Sequence, residues 1–123
     1  PALQALLADF GGVRIVHLAS EPVGPRVDDL VAWGATAGSL SAQDDWATVG
    51  ALAAGRLALV GGLDALVDLR RRTPQAIQAR VARVRAGLGR ATGWLVSDHH
   101  GELPWQVEDE AIGAFVAAAR GLG

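Results

Sequence analysis

The chain has 123 residues, half of them apolar, with 11 Arg against 13 acidic side chains, 16 Gly, and no Cys, Met or Lys. That length and apolar fraction suffice for one domain with its own core, which excludes disorder, and the absence of thiols excludes disulfide scaffolds and Cys-ligated metal sites. A formal net charge of −2, with Arg70, Arg71 and Arg72 as the one dense basic run, argues against nucleic acid, and no spanning segment or leader pattern is present, so a soluble cytoplasmic protein without a membrane partner is expected.

In chain order, Leu3, Leu6, Leu7 and Phe10 recur at helical spacing over 2–10 and Gly11-Gly12 stops the run. Residues 13–18 are short, β-branched and bounded by Gly and by Ser20-Glu21-Pro22, which predicts a strand. Helical spacing resumes over 27–33 after a loop that Pro22, Gly24 and Pro25 keep from being helical. A small strand is predicted over 37–41, followed by a helix capped by Asp44 or Asp45 and running to Gly55. Residues 56–60 read as the third strand, closed by Gly61-Gly62, and 63–70 as a short helix. Thr73-Pro74 then supplies an N-cap with Pro at the first helical position. It opens a longer helix with Ile77, Val81, Val84 and Leu88 on its buried face. The fourth strand is 93–97 and the last helix 108–120, with Ile112, Val116 and Ala119 as its expected stripe. The four Trp residues, Trp33, Trp46, Trp94 and Trp105, read as interior or interface anchors.

Strands that alternate with helices through short loops predict an α/β fold with a parallel sheet built from crossover units. Periodicity leaves two architectures open, a small open sheet and half of an eight-unit barrel. In either, the carboxyl ends of the strands form the ligand rim. His17 and Ser20 follow the first strand, Ser41 and Gln43 the second, Asp64 the third, and Asp98, His99, His100 and Glu102 the fourth. Four ionisable side chains within five residues after a strand point to acid–base or binding chemistry, while His17 reads equally as a packed histidine and Asp64 as a helix cap. Gly61-Gly62 before a helix can bring backbone N–H groups close to an anion. The Arg70–Arg72 run reads first as cations suited to a helix's last turn, and second as steering for a polyanion.

Several of these segments also resemble a known family in order and spacing. Residues 13–20, Gly34-Ala35, Gly61-Gly62-Leu63-Asp64, Arg72-Thr73-Pro74-Gln75-Ala76-Ile77 and Ser97-Asp98-His99-His100-Gly101-Glu102-Leu103-Pro104 resemble the second half of the uroporphyrinogen decarboxylase superfamily. The resemblance implies a partial (β/α)8 TIM barrel, with residues 1–123 carrying about the last four βα units of a fold that needs ~250 residues in full. It implies cofactor-free decarboxylation of a tetrapyrrole in porphyrin biosynthesis by the complete barrel, with the acid and the Arg clamp drawn mainly from the amino-terminal half. The isolated piece is then inactive.

By the same resemblance the family's Gly-Asn-Leu-Asp-Pro turn survives only as Gly61, Leu63 and Asp64. Its carboxyl-terminal histidine matches His100, the favoured catalytic counterpart, or His99 if Asp98 and His99 form the Asp-His pair of other members. His17, Ser41, Gly61, Asp64, Asp98 and His99 become substrate contacts, and no metal or cofactor is required. The partners implied are a tetrapyrrole-like polycarboxylate and either the remainder of the barrel or a second copy of the chain. The superfamily's corrinoid-linked methyltransferases hold zinc through a His-x-Cys pair and a later Cys. This chain keeps His17 but has Ala19 at the Cys position, so that branch would need other ligands, such as His17, Asp98 and His99. A third reading is a non-catalytic α/β assembly module.

Overall fold

The computed structural model describes residues 2–19, 21–41, 43–70, 72–89, 93–98 and 103–121. Helix α1 covers Ala2–Ala8, strand β1 Ile15–Val16, helix α2 Val27–Ala32 after a 3-10 turn at Gly24–Arg26, and β2 Ala37–Ser39. Helix α3 follows at Trp46–Ala53, β3 at Ala58–Leu63, a π-helical turn at Ala65–Leu69, α4 at Pro74–Leu88, β4 at Trp94–Asp98 and α5 at Asp109–Arg120. The predicted alternation of strand and helix is therefore present, and the fold is α/β.

The sheet has four strands in the order β1-β2-β3-β4, every neighbouring pair parallel. Sequential order leaves β1 and β4 at its two edges. Paired residues of a parallel ladder project to the same face, and the register joins Ser39 to Val60 and Val60 to Leu95. Leu40, Leu59 and Trp94, on the alternate set, pack into the core formed with the helices. The other face carries Ile15, 52% exposed, and Leu95, 61% exposed, although purely parallel sheets are ordinarily covered on both sides.

Two clusters make the core. One joins Val27 and Leu30 of α2, Val49 and Ala53 of α3, Leu59 of β3, and Val84 and Leu88 of α4. The second joins Leu63, Leu69, Ile77, Val81, Val107, Ala111 and Ala114, and Trp94 packs against both. Helix α4 contributes all four residues of its predicted apolar face, and its start is set by Thr73, whose side chain accepts from the Ala76 N–H, with Pro74 next. At α3 the cap is Asp45, which accepts from the Thr48 N–H.

Three expectations need correction. Strand β3 does not stop before Gly61-Gly62 but runs through them to Leu63, since Gly61 and Gly62 adopt φ of +109° and +101° and still pair with Val96 and Ser97. In α5 the buried residues are Ala111 and Ala114, with Ala118 packed beside them; of the expected stripe Ile112 packs against the second cluster, while Val116 is 39% exposed. The helix lies close against α4, and alanines admit that approach where a valine would hold it off. Trp105 is 89% exposed and is no interior anchor.

Candidate functional site

All four strands point the same way, so their carboxyl ends lie along one edge of the sheet. The residues there are His17 after β1, Ser39 to Ser41 at the end of β2, Leu63-Asp64 at the end of β3 and Asp98 closing β4. His17 is exposed, and its Nδ1 lies 2.9 Å from Ser39 Oγ, which also accepts from the Leu18 N–H at 3.2 Å. That contact orients the imidazole and leaves Nε2 without a protein partner among the described residues. In the tautomer whose Nδ1 accepts the Ser39 proton, Nε2 is a donor at the rim; in the other, Nδ1 donates to Ser39 and Nε2 is an acceptor.

Ser41 is buried and works within the chain: its Oγ accepts from the Gln43 N–H at 3.0 Å, and its N–H donates to Asp44 Oδ2 at 2.8 Å. Asp44, 8% exposed, also accepts from the Val23 and Gly24 N–H groups at 3.1 and 3.0 Å. One carboxylate thus ties the loop after β1 to the loop after β2. Beside it a pocket of about 410 Å³ opens between Pro22, Pro25, Val49 and Leu52.

At β3, Asp64 caps the turn that follows, its Oδ1 accepting from the Leu66 and Val67 N–H groups at 2.9 and 3.0 Å. Gly61 offers its carbonyl to the Trp94 indole N–H at 2.9 Å. Just beyond, Asp68 is 1% exposed and accepts from the Asp64 N–H, from Arg72 Nε at 3.0 Å and from Arg80 Nε at 3.1 Å. Arg80 in turn stacks on the Trp46 ring, 4.1 Å from its centre.

Asp98 pairs with Leu63 across the ladder, at the end of the sheet. Its Oδ2 is buried and has no hydrogen-bond partner among the described residues. The neighbouring candidates Ser20, His99, His100 and Glu102 lie outside the described residues. Among those described, no three His, Asp or Glu side chains are grouped so as to hold a metal ion. No helix of the structure is long and apolar enough to cross a membrane.

One carboxyl at this end has a displaced titration. The Thr48 hydroxyl, helped by the Thr48 and Ala47 amides and opposed by a little desolvation, holds Asp45 below its ordinary value of 3.8. A lowered folded value means that the interaction is complete above the ordinary pKa and is lost as the pH falls through the folded one. In an NMR titration, Thr48→Val is expected to move the Asp45 midpoint up towards 3.8. An unmoved midpoint would show that the hydroxyl is not the cause.

Sequence reasoning did not single out Ser39, Asp68, Arg80 or the clasp made by Asp44. Only the four-residue spacing of Asp68 and Arg72 was a usable signal, because it places the two on one face of a turn. No protein-family model matches the chain, and no curated protein matches it.

Proposed function

We propose that this chain supplies four βα units of a uroporphyrinogen-decarboxylase-like barrel, whose rim holds a tetrapyrrole-like polycarboxylate. The observation that carries this reading is the parallel sheet in sequential order with an exposed apolar face at Ile15 and Leu95. Such a face is what the interior of a barrel looks like before the remaining units cover it. Order alone would also fit other repeating βα folds; the family enters through the motif resemblance.

In this reading His17 donates from Nε2 to a substrate carboxylate, held in place by Ser39. Asp98, whose Oδ2 has no partner among the described residues, closes β4 at the same edge, where a proton shared with a pyrrole or a carboxyl would satisfy it. Asp64 and Ser41 act one step back, since their oxygens already bond the backbone of the loops that shape the rim. His100 retains the catalytic assignment that the resemblance implies. The family's acid and Arg clamp belong to other units of the barrel, so the 123 residues by themselves bind the polycarboxylate weakly and turn over none.

Titration with uroporphyrin, the oxidised octacarboxylate, read by quenching of Trp fluorescence, tests the proposal. Saturable binding is expected, weakened about tenfold by His17→Ala, the loss of one charge-assisted hydrogen bond. Absence of saturable binding, or binding indifferent to His17→Ala, overturns it.

A further inference from the structure

We propose that Arg72 and Arg80 form a binding site for a doubly charged oxyanion, a phosphate monoester, just outside the rim. The inference goes beyond the barrel reading and does not depend on it.

Its basis is a surplus of cationic donors around one buried acceptor. Asp68 carries a single negative charge, yet two guanidinium groups converge on it, one through Oδ1 and one through Oδ2. One Arg would neutralise the carboxylate; the second leaves the cluster with a net positive charge. Both arginines reach Asp68 through Nε alone, at 3.0 and 3.1 Å. Among the described residues, neither arginine makes another hydrogen bond through its Nη groups. These forks are the part of a guanidinium that matches phosphate in bidentate fashion.

The cluster is held in place and partly open. Asp68 is bonded to the Asp64 backbone, Arg80 is fixed on Trp46, and the side chains of Arg72 and Arg80 are 41% and 20% exposed. Partial desolvation strengthens an ion pair formed there over one formed in water. The indole N–H of Trp46 adds to the imbalance, because it is buried and has no acceptor among the described residues. Among those residues donors are in excess on this flank of the molecule.

Phosphate fits better than carboxylate on geometry, because two forks need more than the two oxygens of one carboxylate, whereas a phosphate monoester offers three. A ligand bound here lies close to the end of β3, because Asp68 accepts directly from the Asp64 N–H.

Calorimetric titration with inorganic phosphate, alongside ³¹P line broadening, tests the site. Millimolar phosphate is expected to bind saturably to the full chain, and Arg72→Ala to weaken it about tenfold or more. Arg72→Lys should retain part of the affinity, since the charge stays and the fork goes. Circular dichroism shows whether each variant is folded, and Arg80→Lys gives a second route should Arg72→Ala unfold. His17→Ala is expected to leave phosphate binding unchanged while weakening uroporphyrin, which separates this site from the rim. Lack of saturable phosphate binding, equal binding by the Arg72 and Arg80 variants, or an equal loss in His17→Ala overturns the proposal.

Discussion

Asp44→Ala is expected to lower folding stability by about 4 kcal/mol, more than any other single truncation at the rim. Three backbone N–H groups, from Val23, Gly24 and Ser41, end on its two oxygens, and Val23 and Ser41 are buried. A hydrogen bond to a charged group contributes roughly 1.5–3 kcal/mol, and a buried donor left unpaired costs a further desolvation penalty. Water reaching the Gly24 side recovers part of that loss, which keeps the total below the sum of three. Urea unfolding measures the effect directly. Asp44→Asn keeps an acceptor and should lose only part of it. A loss under about 1 kcal/mol for Asp44→Ala would mean that the two loops hold each other without the clasp.

Gly50→Ala is expected to destabilise the chain by about 3 kcal/mol, at the upper end of overpacking costs. In an isolated helix the same change would stabilise by about 1 kcal/mol, because Ala is the better helix former. The sign is reversed by packing. A Cβ at Gly50 would stand 2.3 Å from the Leu88 carbonyl oxygen and 2.7 Å from Leu88 Cα, both backbone atoms that no rotamer change can move. Helix α3 would have to lift off the end of α4, opening the first core cluster where Val49, Ala53, Val84 and Leu88 meet. Gly113 of α5 provides the control, as a Cβ there meets nothing within 4 Å. Gly113→Ala should raise the melting temperature and Gly50→Ala lower it; the same sign at both positions would refute the close crossing of α3 and α4.

The two buried carboxylates also differ in what they ask of the sheet. Asp44 bonds only backbone, so it fixes the shape of loops. Asp68 bonds two guanidinium groups, so it fixes charge.

Much of the architecture was legible in the residues. Local physics suffices for Thr73-Pro74 at the start of α4, for the Ile77, Val81, Val84 and Leu88 face, and for the alternation of short β-branched runs with helical spacing. Each depends on neighbours within about a turn of helix or a few residues of strand. Where that locality fails, so did the reading. Gly61-Gly62 is a stop signal in isolation, yet the ladder with Val96 and Ser97 carries β3 through it. In α5, alanines surround the helix, and which of them are buried follows from α4 rather than from α5 itself.

For the candidate site the division is the same. The rim positions of His17, Ser41, Asp64 and Asp98 came from strand order alone. Ser39 beside His17 lies 22 residues away, and Arg80 lies 12 beyond Asp68. Composition and periodicity determined that this chain forms parallel βα units with polar residues at the strand ends. Which oxygen meets which nitrogen was decided only in three dimensions, because hydrogen bonds act over about 3 Å in space and have no reach along the sequence.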